Sequence, residues 1–332
     1  MQGLQKLAKE LYENKTLVYN EVSGQDAMRK LFYEALDVPV GTKGIDLFYA
    51  FQRNKHNVFQ LISVTTDAIV PALLKNEFDG LAEFHNFEIG DTFKFKVRNK
   101  DLFRVATIAA GTKDLRRQTK LDSEYTVETD WLAASIYAEW EQFLTGQLDW
   151  ADWIDTLAAS FTNKISANIY NAITMSYDGL RTTLKHSATG RFDLEKVEEL
   201  ARRVRAASGV QKVTVYGTVS ALSALAGTNL EKSDGMKDEL NNLGYLKTVR
   251  GLDLVALPDA YEAGTENFVV SDKTLLLVPS NEKIVDVALE GETYTIEDQS
   301  ENNNGLQIAF QTRKKVGVQV KKASVYGFYK LT

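Results

Sequence analysis

The sequence predicts an α+β fold, and three observations carry that expectation. Apolar residues recur at helical spacing through residues 1–75 and again from Trp131 to Tyr177. Residues 193–260 alternate helix and strand patterns. Residues 267–332 carry strand patterns almost throughout. The 332 residues suit roughly two domains at about 150 each, and 44% hydrophobic with 25% charged residues is the balance of a chain that folds.

At the N-terminal end, Leu4, Leu7, Ala8 and Leu11 form one apolar stripe, and Met28, Leu31, Phe32 and Ala35 form another. Each is too short to hold a helix alone, so both are expected to dock on something larger. Pro39 and Gly41-Thr42-Lys43-Gly44 break the chain, and Phe48 to Ile62 resume a helical pattern up to Pro71. From Phe87, Ile89, Phe93, Phe95 and Val97 the pattern becomes extended. Phe103 to Ala109 supply a returning strand, with Arg98-Asn99-Lys100-Asp101 as the turn. A long hairpin is the simplest reading, and it wants a partner, because two strands alone are marginal in water.

Trp131 to Tyr177 reads as helix with a break around Gly146. Trp150, Ile154, Leu157, Phe161, Ile165, Ile169 and Ile173 recur every three or four residues, a helix of about 25 residues or more. Trp131, Trp140, Trp150 and Trp153 all fall in this stretch and are expected in the core. Asp193 is placed to cap Leu194–Ala207, which stops at Gly209. Val213–Val215 forms a strand, and Thr218 caps a short helix through Leu225 that stops at Gly227. Leu254–Leu257 forms a further strand ended by Pro258. The last strands are Phe268–Val270, Thr274–Val278, Ile284–Leu289, Thr293–Ile296, Leu306–Gln311 and Val316–Phe328, with the polar linker Glu297–Gly305 between the fourth and fifth.

Chemistry is mostly excluded. The chain has no cysteine, which removes disulfides, zinc-thiolate sites, iron–sulfur clusters and thiol nucleophiles. His56, His85 and His186 are far apart, so an all-histidine metal site is not expected. No phosphate loop, dinucleotide fingerprint, nucleophile elbow or HExxH motif is present. Asp149, Asp152 and Asp155 read as an acidic first helical turn complementing the helix dipole. A net charge of −6 argues against non-specific nucleic-acid binding by the whole chain. No apolar region follows Met1 and no apolar run approaches the ~18 residues of a membrane span, so neither a signal peptide nor a membrane contact is expected.

What remains is a charge switch. Lys94 to Leu121 holds nine basic residues against Asp101 and Asp114, whereas Asp122 to Ser160 holds nine acidic residues and no Lys or Arg. Three readings compete: segregated solvated faces, a basic hairpin on nucleic acid, or a basic hairpin lying on the acidic segment of a neighbouring copy. The second lacks the aromatic platform expected for single strands. The third gives a long hairpin the dock it needs. It pairs Lys94, Lys96, Arg104, Arg116 and Arg117 with Glu124, Glu128, Asp130, Glu139 and Glu141. Exposed ion pairs yield only ~0.2–1 kcal/mol each, so these charges would set register more than affinity.

The order of parts resembles the major capsid protein of tailed bacteriophages, the Hong Kong 97-type fold. The closing stretch carries the likeness best: Leu306-Gln-Ile-Ala-Phe310, then Arg313, then Lys322-Ala-Ser-Val-Tyr-Gly-Phe-Tyr-Lys330. On that resemblance, residues 1–80 are the N-terminal arm and helices, and 81–121 the extended hairpin loop. Residues 122–190 are the first part of the peripheral domain with its spine helix, 191–265 the axial domain, and 266–332 the strand-rich return to the peripheral domain. The resemblance implies a non-enzymatic shell protein, without cofactor or metal, that forms hexamers and pentamers of an icosahedral head around double-stranded DNA. It implies a separate scaffolding protein and a portal as partners, no sequence-specific DNA binding, assembly in the host cytoplasm and residence in the virion. The arm is then expected to be ordered by neighbouring copies, so that a subunit without residues 1–40 still folds. Lys94, Lys96 and Lys100 with Asn302–Asn304 supply the residue types of the family's lysine–asparagine cross-link, but that link is not expected here. An encapsulin-like nanocompartment shell shares the fold and stays open. So, from another class, does a small-ligand-binding α/β enzyme.

Overall fold

The computed structural model describes residues 24–91, 94–97, 103–110, 116–145, 150–178, 186–226, 233–259, 261, 264–280, 282–298, 307–321 and 325–331. The Leu4/Leu7/Leu11 stripe and the linker after Asp298 lie outside them.

Two helices open the described chain: α1 (Gly24–Ala35) and α2 (Ile45–Phe78). Met28 and Phe32 on α1 are buried in the main core, with the Phe32 ring stacked on Trp150 at a centroid distance of 4.7 Å. The second stripe thus finds its dock within its own chain. That corrects the expectation that neighbours order the whole arm. Helix α2 runs straight through Pro71 to Phe78, 34 residues or about 51 Å. Proline removes one backbone bond, yet Val70, Leu74 and Phe78 are buried on either side, and that packing holds the helix together across the gap. By length and hydropathy α2 is apolar enough to cross a membrane. Its apolar residues Val58, Ile62, Ile69 and Leu74 face the protein interior, which is the behaviour of a core helix.

Four strands form the first sheet in the order β1 (Ala82–Phe87), β10 (Val285–Glu297), β11 (Gln307–Val320), β4 (Asp130–Glu139). Strand β1 runs parallel to β10, and the other pairs are antiparallel. The sheet packs against α2 and α4 (Trp150–Asp178), whose whole expected stripe from Trp150 to Ile173 is buried. A buried ion pair bolts α2 to the sheet. Lys314, almost fully buried, reaches Asp67, and Asp67 accepts from the Thr293 backbone N–H at 2.7 Å and hydroxyl at 2.5 Å. Removing one partner of such a pair would strand a buried charge.

The stretch after Trp131 departs from its expected helix. Asp130–Glu139 is a strand, followed by the short helix α3 (Trp140–Thr145). Leu132, Ala134 and Ile136 pack toward the core while Trp131, Ala133, Ser135 and Tyr137 point out. The alanines favour helix, but the period of two matches a sheet edge and tertiary pairing wins. Trp131 is therefore 47% exposed rather than core, lying edge-on to Tyr294. The expected strands Ile284–Leu289 and Thr293–Ile296 are one strand with a bulge between Glu290 and Tyr294. The expected break inside 306–328 falls after Val320.

The second sheet has six strands in the order β5 (Ser187–Gly190), β12 (Gly327–Leu331), β9 (Thr274–Pro279), β6 (Val213–Gly217), β8 (Leu252–Ala256), β7 (Thr248–Val249). One face is covered by α5 (Leu194–Ser208) and α6 (Val219–Ala226). The other adds Tyr216, Leu276, Val278 and Phe328 to the main core. A strand buried on both faces cannot alternate, which explains the unbroken run Leu275–Val278. Asp193 caps α5 as expected, accepting from the Glu195 N–H at 3.1 Å, and Thr218 accepts from the Ala221 N–H at 3.2 Å. Helix α7 (Asp234–Leu243) was not expected: none of its residues is buried. Phe268–Val270 forms only an isolated bridge from Phe268 to Tyr261. Of the strands in 266–332, β10 and β11 lie in the first sheet and β9 and β12 in the second.

Candidate functional site

The feature most clearly built for a purpose is the hairpin and its root. Strand β2 (Lys94–Val97) pairs with β3 (Ser123–Thr126), not with Phe103–Ala109. The described limbs 103–110 and 116–121 carry no regular structure, and all their residues are exposed. The returning strand lies farther along the chain because Tyr125 and Val127 have a buried surface to meet. Phe95 stacks on Tyr125 at 5.5 Å, and both pack with Val127 and Ala288. Phe103, Val105 and Ile108 meet no such surface.

Glycine and charge seat the root on the first sheet. A Cβ at Gly317 would lie 2.4 Å from the Glu128 carbonyl oxygen, so only glycine lets the β3–β4 crossing rest directly on β11. Glu290, buried beside it, accepts from Lys315 at 2.8 Å, from the Thr129 hydroxyl, and from the Gly90 N–H at 3.0 Å. The Lys315 hydrogen bond, then the Thr129 hydroxyl, hold its carboxyl down at about 2. On the neighbouring pleats, Tyr125 donates to buried Asp286, and Lys321 lies 2.7 Å from Glu83 and 3.3 Å from Asp286. Burial and then Asp286 push the Tyr125 phenol upward, so it stays a donor. The Lys321 hydrogen bond pulls Glu83 below the usual carboxylate range. Glu83, His85 and Asp286 gather their donor atoms within 4.8 Å of one another. That is metal-like spacing, but the Lys321 ammonium already supplies the positive charge there.

These root residues were missed from sequence. Part of their signal was present: Asp286 interrupts the apolar run Ile284–Leu289, and Glu290 follows it directly. Isolated charges inside buried strands must be paired.

The ten charge-switch residues are spread along the hairpin and the edge beyond it. Lys94 and Lys96 lie on β2, Arg104 on the outgoing limb, and Arg116 and Arg117 on the returning one. Glu124 lies on β3, Glu128 between β3 and β4, Asp130 and Glu139 at the two ends of β4, and Glu141 in the first turn of α3. Lys96 and Glu124, one from each of the two groups expected to meet between copies, face each other within the chain at 3.8 Å. The side chains of Lys94, Arg104, Arg116, Arg117, Glu128, Asp130, Glu139 and Glu141 pair with no described residue.

The family described as "SPbeta prophage-derived putative capsid protein YonB" matches residues 16–328. The chain belongs to this capsid family. The solved structures agree on the fold. The mature capsid of bacteriophage PhiM1 is 14% identical, with 77% of this chain and 86% of that one covered at a TM-score of 0.50. Microbacterium phage Oxtober96 is 9% identical, covering 75% and 89% at 0.51. The capsid of a native GTA particle is 15% identical, covering 77% and 90% at 0.50. No curated protein sequence matches the chain. The Hong Kong 97-type fold expected from the order of parts is therefore the fold of this capsid protein. It is a phage shell protein of the virion capsid.

Proposed function

We propose that the capsid protein forms hexamers and pentamers of an icosahedral head around double-stranded DNA, built in the host cytoplasm with a separate scaffolding protein and a portal. Its role is structural and non-catalytic, it needs no cofactor or membrane, and it holds the DNA without reading sequence. The hairpin of one copy lies across the acidic edge of the next, matching Lys94, Arg104, Arg116 and Arg117 to Glu128, Asp130, Glu139 and Glu141. The observation that supports this reading is the exposed basic limb, whose charges find no partner among the described residues while a row of equally unpaired carboxylates borders β4. Each pair is worth little, but a closed shell repeats the contact in every copy.

Charge reversal tests the pairing. Arg116→Glu with Arg117→Glu is expected to leave the subunit folded and to slow assembly, followed by light scattering and electron microscopy. Adding Glu128→Lys and Asp130→Lys should restore part of the rate. Assembly of the Arg-reversed variant at the parental rate in low salt would reject it.

A further inference from the structure

We propose that residues 103–110 of one copy add as a strand to the free edge of β4 in a second copy. The inference rests on the shell-forming reading above and gives its contact a backbone geometry.

Strand β4 is an edge left open. All ten residues pair with β11 in continuous register, from Asp130 opposite Val316 to Glu139 opposite Gln307, and no described strand meets its other side. Proteins usually blunt such an edge with a lysine, a proline, a bulge or a short strand. Strand β4 (DWLAASIYAE) is long, about 33 Å, and has none of these. Its outer face carries the exposed aromatics Trp131 and Tyr137.

The segment FRVATIAA at 103–110 is the reverse case, a strand sequence without a strand partner. It is rich in aromatic and β-branched residues and lacks glycine and proline. Every residue is exposed, Val105 to 96%, and none joins a ladder within its own chain. One of its residues, Arg104, is already engaged by the returning limb. The Gln118 amide takes the Arg104 N–H at 2.9 Å and donates to the Arg104 carbonyl at 2.8 Å, as a paired strand would. In extended chain the polar groups of successive residues alternate sides, so those of 103, 105 and 107 point away from the returning limb. Extended, the segment offers that side, about 26 Å of chain, to the open edge of β4.

Connectivity sets the partner as a second copy. The limbs leave the hairpin beyond Val97 and Ser123, whereas β4 begins past Thr126, at the opposite end of the β2–β3 pair. A limb reaching its own β4 would have to double back over that pair. The charges agree, with Arg104, Arg116 and Arg117 on the limbs and Glu128, Asp130, Glu139 and Glu141 around β4.

The absence of cysteine makes the test clean. Ala133→Cys on the outer face of β4 is combined in turn with a cysteine at each position from 103 to 108, and assembled particles are oxidised mildly. Cross-strand neighbours have the Cα separation a disulfide needs. The expected result is intermolecular disulfides at alternate positions, several-fold above the positions between them. Equal yields at consecutive positions, linkage within one chain only, or particles with no linkage would overturn strand addition while leaving the shell reading intact. Failure of the parent chain to form particles under any condition would overturn both. As a second arm, Val105→Pro with Thr107→Pro is expected to leave the subunit's circular dichroism unchanged and to lower assembly at least tenfold. Assembly at the parental rate would also overturn the proposal.

Discussion

Replacing Phe32 with alanine asks whether α1 belongs to the subunit or to its neighbours. The Phe32 side chain is 4% exposed, stacked on Trp150 at 4.7 Å and edge-on to Phe143 at 6.4 Å. A buried phenylalanine removes about 150–250 Å² from water, which at about 25 cal/mol per Å² corresponds to roughly 4–6 kcal/mol. Unfolded chains already bury part of that area, so a loss of about 3–5 kcal/mol is expected. Domains carry only about 5–15 kcal/mol in total, so the loss is large. Urea unfolding of the unassembled subunit, followed by tryptophan fluorescence, measures it, with Trp150 reporting at the point of change. Phe32→Leu keeps most of the apolar volume and gives up the ring pairing, so it should lose distinctly less. A loss below about 1 kcal/mol for Phe32→Ala, together with failed assembly, would refute the placement of α1 in the subunit core and restore the idea that neighbours order it.

The hairpin root gives two more expected outcomes. Glu290 has its pKa depressed to about 2, so its stabilising contribution is present above the ordinary carboxylate value near 4.5 and disappears as pH falls through about 2. Thermal melts between pH 5 and pH 2 should then show the parent losing more stability than Glu290→Gln, and parallel curves would count against the root as drawn. Gly317→Ala puts a Cβ 2.4 Å from the Glu128 carbonyl oxygen, so it should destabilise by about 1–3 kcal/mol and speed proteolysis between residues 98 and 122. An unchanged cleavage rate would mean that the crossing does not rest on β11.

Much of the fold was legible because its signals are local. The stripe from Trp150 to Ile173 is one face of a helix wherever that helix packs, and all seven of its residues are buried. Asp193 and Thr218 cap their helices through bonds spanning two or three residues, which need no knowledge of the rest of the chain. The charge switch was equally visible, being a property of composition.

The sequence by itself therefore determined the long helix, the caps of the α/β unit, the strand-rich close and the segregation of charge. Tertiary structure decided what depends on distant partners. Whether Trp131–Glu139 coils or extends turns on β11, some 170 residues away in sequence, because alanine-rich chain accepts either form and only the sheet edge breaks the tie. The hairpin closes on Ser123–Thr126 instead of Phe103–Ala109 because Tyr125 and Val127 find Ala288 and Asp286 beneath them, a surface that exists only once β10 is in place. Glu290 and Lys315 are ordinary charged residues in the sequence, and burial in the folded sheet is what makes each of them need the other.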